Sequence, residues 1–179
     1  MEFLEFVSEI GRLKETKRTG WVDKAVKNPE SVADHSFRLA VLVMLYAEKS
    51  GINTEKCMKM ALIHDMAEIY TGDIPNQESK EKVEKERTAL KKLLEKLPEN
   101  NRKEITNLWE EFNEKKTKEA LLVSDLDKIE MIIQLIDYKK QRRAENMDEF
   151  FATTEKIVRT ELGKELLNKL KAQYLSIKN

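Results

Sequence analysis

Three stretches of this chain are apolar on almost every helical face, and each carries histidine or aspartate inside that apolar setting. They are VADHSFRLAVLVMLYAEKSG (32–51), NTEKCMKMALIHDMAEIYTG (53–72) and KEALLVSDLDKIEMIIQLIDYKKQ (118–141). A helix that is apolar all round belongs in the middle of a bundle, with other helices covering it. Burying an imidazole or a carboxylate there is expensive unless it is paired or bound to a cation. The chain nevertheless places His35 in the first run, His64 and Asp65 in the second, and Asp125 and Asp127 in the third. Its two histidines are both in this set.

The rest of the chain supplies the cover. Phe3, Leu4, Phe6, Val7, Ile10 and Leu13 repeat at helical spacing over residues 2–14 and give way to a basic, polar loop, KETKRTGW. Ser31 and Asp34 form a capping-box-like start to the first apolar helix, and Gly51 closes it. Residues 78–97 and 101–116 predict amphipathic, heavily charged peripheral helices, and two more follow at about 148–160 and 163–176. Cys57 and the methionines fall mostly at apolar helical positions, and Trp109 anchors its amphipathic helix. Five glycines and three prolines leave little room for hairpins. The expected fold is all-α: a single domain over 1–179, with its motif core at about 10–145 and C-terminal helices at 148–176.

Charge narrows the partners. Lys+Arg and Asp+Glu stand at 33 each, so no net field draws the chain to nucleic acid or an anionic membrane. No apolar run approaches the roughly 20 residues that span a bilayer. The acidic N-terminus is unlike a signal peptide, and a single cysteine excludes an internal disulfide. A cytoplasmic protein is expected.

Packing the three central helices together could bring their ionisable groups to one point. Two imidazoles and two carboxylates around one divalent cation would remove the burial cost of all four. This donor set, without a thiolate, suits Mn, Co, Fe, Ni, Mg or catalytic Zn better than a structural zinc knot. A metal that keeps open positions can acidify water and polarise a phosphoryl oxygen, which is hydrolytic chemistry. Glu68 follows His64 by four residues and Asp65 by three, so one helical face would present all three. Periodicity does not separate Asp127 from Asp125 as the fourth ligand. The competing reading is a purely structural helical protein whose His and Asp residues pair with Lys and Arg.

VADHS, LIHDMAEIYTGDIP and VSDLDKIEMIIQ together resemble the HD-domain metal-dependent phosphohydrolases, whose signature is H…HD…D. RTGW, NPESVADHS, AEIYTGDIP and DKIEMIIQ bring the resemblance closer to the 5′-deoxynucleotidase and HD-domain-containing protein 2 branch, over about residues 10–145. The resemblance implies one divalent metal, Mn, Co or Mg before Zn, Ni or Fe, held by His35, His64, Asp65 and Asp127. It implies that Glu68 orients or deprotonates the attacking water and that Asp73 lines the site on the nucleotide or leaving-group side. Arg18 would clamp the phosphate, and Trp21 would pack on sugar or base. The bacterial enzymes set Arg and Trp side by side, whereas Thr19 and Gly20 separate them here. The implied activity is hydrolysis of deoxyribonucleoside 5′-monophosphates to deoxynucleoside and phosphate by a homodimer, for which an apolar surface on the later helices would serve. The alternatives are another nucleotide phosphohydrolase (cyclic-nucleotide phosphodiesterase, dNTP or alarmone hydrolase) and a non-catalytic nucleotide-binding module.

Overall fold

The computed structural model describes residues 2–74, 79–143 and 147–177. Regular structure there is helical, apart from one isolated antiparallel bridge between Lys17 and Ser31. Pro75 of the expected stop, Glu78 at the start of the expected 78–97 helix, and the motif-core limit at 145 lie outside the described residues. The helices are α1 (Glu2–Ile10), α2 (Thr19–Asp23), α3 (Val32–Lys49), α4 (Thr54–Ile63), α5 (Glu68–Thr71), α6 (Lys80–Leu94), α7 (Glu99–Glu114), α8 (Lys118–Lys140), α9 (Asp148–Ile157) and α10 (Glu161–Ser176). A 3₁₀ turn, Gly11–Lys14, extends α1.

Helix α8 is the axis, and α3, α4, α7, α9 and α10 pack against it. Its first half meets Leu39, Val43 and Ala47 of α3 and Met60 and Ala61 of α4 through Leu122, Val123 and Leu126. Its second half, through Ile129, Ile132 and Ile136, meets Trp21, Phe151 and Leu167. Each such aliphatic side chain contributes about 1.5–3 kcal/mol when fully buried. Among the described residues, no helix is long and apolar enough to cross a membrane.

The ends of these helices follow from local chemistry. Ser31 Oγ accepts the Asp34 N–H while the Asp34 carboxylate accepts the Ser31 N–H, completing the expected capping box. Gly51, at φ +66°, takes the left-handed conformation that closes α3. Thr117 caps α8 by accepting the Ala120 N–H.

Two expectations need correction. The single helix expected over 53–72 breaks at His64. In a continuous helix the His64 carbonyl would accept the Glu68 N–H. Here it accepts the Trp109 indole N–H at 3.2 Å, and the Glu68 N–H turns to the Asp65 carbonyl at 3.0 Å. The chain tightens to i→i+3 bonds through Met66 and Glu68 before α5 begins, so His64 and Glu68 do not share one regular helical face. The polar loop after α1 is likewise not all loop, because Arg18 caps the short helix α2, which carries Trp21.

Asp125 has a structural task. Its carboxylate accepts the Arg159 N–H at 3.1 Å, the Thr160 N–H at 2.6 Å and the Thr160 hydroxyl at 2.6 Å, tying the α9–α10 turn to α8. Gly163 lets this turn approach. A Cβ there would lie 2.6 Å from Val158 Cγ1 and 2.8 Å from Asp125 Oδ2.

Candidate metal centre and active site

The capping box fixes the start of α3 and places His35 on its first turns, fully buried. The break after α4 turns His64 and Asp65 toward it, and α8 brings Asp127 from the third side. His35 Nε2 lies 3.1 Å from Asp127 Oδ1 and 3.9 Å from Asp65 Oδ2, and His64 Nε2 lies 3.0 Å from Asp65 Oδ2. Donor atoms, one each from His35, His64 and Asp127, lie within 4.8 Å of one another. Asp125, on the same helix as Asp127, is engaged with the α9–α10 turn. The structure therefore brings together His35, His64, Asp65 and Asp127, as expected, and sets Asp125 apart.

The outer nitrogens define the tautomers. His64 Nδ1 donates to the Ala61 carbonyl at 2.9 Å, and His35 Nδ1 is held by Glu130. In each neutral ring that leaves Nε2 free to offer its lone pair to a cation at the common point. Among the described residues, His35 Nε2, His64 Nε2 and Glu68 Oε2 are buried with no hydrogen-bond partner. Buried polar atoms rarely stay unsatisfied, and a divalent cation at this point would satisfy the two imidazoles at once. The donor chemistry fits a metal.

Electrostatics follow from this crowding. Burial and the neighbouring Arg18 oppose charge on His35, but Glu130 and Asp127 outweigh them and raise its pKa to about 9. Burial works against charge on Asp65 and Asp127 as well. His64 and Arg18 nevertheless hold Asp65 below the usual carboxylate range, and Lys128 and His35 do the same for Asp127. Glu68 behaves oppositely: burial, then the charges of Asp65 and Asp73, push its carboxyl up to about 10.

Around the cluster opens a cavity of about 480 Å³, lined by Arg18, Asp65, Glu68, Asp73 and Asp127 among others. Arg18 reaches Asp65 at 3.2 Å and Asp73 at 3.6 Å. Asp73 also accepts the Thr19 N–H at 2.5 Å, and its carbonyl accepts the Thr19 hydroxyl at 2.5 Å. The two residues between Arg18 and Trp21 thus pin α2 to the segment after α5. Trp21, which lines the same cavity, is only 2% exposed; it donates its indole N–H to Glu30 at 2.8 Å and stacks on Phe150 with ring centroids 5.0 Å apart. Trp21 supports Phe150, the less buried ring on the cavity wall.

Sequence reasoning missed Glu130 and Arg38, which brace His35. Arg38 Nε donates to Glu130 Oε1 at 2.6 Å, and Arg38 also reaches Asp137 at 3.1 Å. The signal was there: Glu130 is another acid in the apolar α8, one turn beyond Asp127.

A helical fold that gathers two imidazoles, an adjacent His-Asp pair and a third-helix aspartate on the floor of an open cavity defines the HD class of domain. The chain belongs to the HD domain family, whose model matches residues 10–170. It is similar to the 5′-deoxynucleotidase HDDC2 of Xenopus laevis, 41% identical over 155 residues, or 84% of this chain and 77% of that protein. It is also similar to the 5′-deoxynucleotidase hdd1 of Schizosaccharomyces pombe, 37% identical over 175 residues, or 94% and 88% of the two chains. Among solved structures, a conserved hypothetical protein from Pyrococcus furiosus superposes with a TM-score of 0.80 at 36% identity, covering 94% of this chain and 99% of that one. A predicted metal-dependent phosphohydrolase from Magnetospirillum magnetotacticum gives 0.73 at 25% identity, covering 97% and 96%.

Proposed function

We propose that this chain is a metal-dependent phosphomonoesterase that hydrolyses deoxyribonucleoside 5′-monophosphates to deoxynucleoside and phosphate. The observation that carries this reading is the pair of unsatisfied, inward-facing Nε2 atoms beside Asp65, Asp127, Glu68 and Arg18 in one cavity. The substrate class comes from the relatives named 5′-deoxynucleotidase.

In this reading His35, His64, Asp65 and Asp127 hold one divalent ion, Mn, Co or Mg in preference to Zn, Ni or Fe. Such an ion supplies Lewis-acid stabilisation of charge on a phosphoryl oxygen and acidifies water. Glu68 lines the cavity beside the cluster; burial and its acidic neighbours keep its carboxyl protonated at neutral pH in the metal-free chain. A bound cation would favour the ionised form that can orient and deprotonate the attacking water. Arg18 offers planar donors to the phosphate, and Asp73 positions it through the Arg18 and Thr19 contacts. Phe150, braced by Trp21, and Met131 supply apolar surface for the nucleoside.

Phosphate release should be measured with dNMPs, NMPs, cyclic nucleotides and dNTPs under Mn, Co and Mg. The expected result is metal-dependent release from dNMPs, abolished by chelation. Turnover of only dNTPs or cyclic nucleotides would move the chain to another phosphohydrolase class, and ligand binding without turnover would make it a binding module.

We also propose a homodimer. The later helices leave Leu175 as their exposed large apolar side chain among the described residues, so we place the contact on α3. Phe37 (70% exposed), Val41 (38%) and Leu45 (51%) form an outward stripe on α3 at helical spacing. Light scattering is expected to give twice the mass of one chain; a monomer at micromolar concentration contradicts the proposal.

A further inference from the structure

The two aspartates facing the imidazoles each hold a cation that lines the same cavity. Asp65 Oδ2 lies 3.2 Å from Arg18, and Asp127 Oδ2 lies 2.9 Å from Lys128 Nζ. Asp127 is divided: Oδ1 faces His35 Nε2 at 3.1 Å, and Oδ2 faces the lysine. Lys128 is partly buried, and the ion pair with Asp127 is the short contact its ammonium makes among the described residues. A second cavity, of about 550 Å³, shares Asp65, Asp127, Lys82 and Lys128 with the first. Lys128 therefore lines two adjoining cavities, beside the cluster, and shares the first of them with Arg18.

A lysine that only neutralised Asp127 would have no need of an open cavity on its free side. A phosphate monoester brings two negative charges; Arg18 supplies one positive charge, while the other lysines on the lining, Lys24 and Lys82, are engaged with Glu149 and with the Ile74 carbonyl. Drawing Asp127 Oδ1 onto a divalent cation withdraws negative charge from Oδ2 and loosens its hold on the lysine. The released ammonium has three donors on a flexible stem, and the lysine already lines the cavity.

We propose that Lys128 is a second phosphate-binding cation, held by Asp127 until the metal site fills, so that loading the metal and opening the phosphate site are coupled. This deepens the phosphomonoesterase reading and rests on its metal and phosphate sites, though not on the identity of the nucleoside. The coupling is reciprocal: phosphate that engages Lys128 frees Asp127 for the metal.

Removing the charge should move two affinities in opposite directions. In calorimetric titrations, Lys128→Met is expected to bind Mn about threefold more tightly, since a cation beside a ligand carboxylate is gone. The Mn-loaded variant should bind inorganic phosphate about tenfold more weakly, the loss of one charge-assisted contact. Lys128→Arg should restore phosphate binding to within about threefold of wild type, and Lys80→Met, at the rim of the second cavity, should change neither affinity. Lys128→Gln serves as the charge-removed protein if the methionine variant does not fold. Unchanged phosphate affinity in either charge-removed variant overturns the proposal, as does an equal weakening in Lys80→Met, which would reduce the effect to general surface charge. Failure of the wild-type chain to bind Mn would instead overturn the metal reading itself, and failure to turn over dNMPs would leave these titrations intact.

Discussion

Asp127→Asn should purify as a folded protein without a stoichiometric divalent metal, whereas Asp125→Ala should keep its metal and lose stability. The two aspartates are two residues apart on α8, and both are buried, so burial alone does not separate them. Their partners do. Asp127 Oδ1 faces His35 Nε2 at 3.1 Å, and its neighbours are Lys128 and the cluster. Replacing the carboxylate by an amide keeps the shape, removes one ligand charge, and turns a poor donor toward the metal. Metal affinity is expected to fall by at least about 100-fold, more than the loss of an outer hydrogen bond to a ligand costs. Phosphate release should fall with it. Asp125 instead holds two backbone N–H groups and a hydroxyl of the α9–α10 turn. Alanine leaves those partly buried donors without their acceptor, a loss of about 3 kcal/mol. For a domain of this size that is a drop of roughly 6–12 °C in melting temperature. Metal analysis and thermal melts of the two variants decide the assignment. The reverse pattern, with Asp125→Ala metal-free and Asp127→Asn fully loaded, would place the fourth ligand on the other aspartate.

That contrast also marks how far the sequence could be read. The three all-apolar helices announce their burial, and histidine or aspartate inside each announces a shared partner. His35, His64, Asp65 and an aspartate of α8 are legible on that logic before any contact is known, and in the sequence only the family resemblance selects Asp127 over Asp125. What lies outside a single helix was not legible. Nothing in MALIHDMAEIYTG marks a break at His64, since the interruption comes from an indole donor on α7, 45 residues further along the chain. Periodicity leaves Asp125 and Asp127 equivalent in an all-round apolar helix, and only the docking of the α9–α10 turn distinguishes them. Trp21 is the instructive case. In the basic loop it reads as an aromatic plane for sugar or base. It does line the cavity, but only 2% exposed and stacked on Phe150, which is the less buried of the two rings. Glu130 and Arg38 could have been found by applying the burial argument to every charge in α3 and α8, not only to metal-ligand types.

Glu68→Gln should abolish turnover and, in the metal-free protein, raise stability. Loss of a general base costs about 10²–10⁴ in rate. The stability gain follows from linkage. In the folded, metal-free chain, burial and the charges of Asp65 and Asp73 raise the Glu68 pKa from 4.5 to about 10. Between those two values the native state keeps a proton that the unfolded chain has released. The group therefore contributes its full stability below pH 4.5 and loses it progressively as pH rises toward 10. Glutamine occupies the same volume and carries no such proton, so its variant lacks this part of the slope. His35, raised to about 9, and Glu30, raised to about 7 chiefly by burial and then by Glu130, add slopes of the same sign to both proteins, which largely cancel in the difference. At pH 8 the metal-free variant should melt about 3 °C or more above wild type, with the gap widening toward pH 9 and closing toward pH 5. Adding Mn should shrink the gap, because a cation beside Glu68 stabilises its ionised form. Thermal melts in chelator across this range, paired with phosphate-release assays, test both halves. A variant less stable than wild type at pH 8, or a gap that ignores pH, would mean that Glu68 is already ionised and paired in the fold. A residue that lowers the stability of the empty protein while carrying its chemistry has a cost in folding that only the reaction can offset.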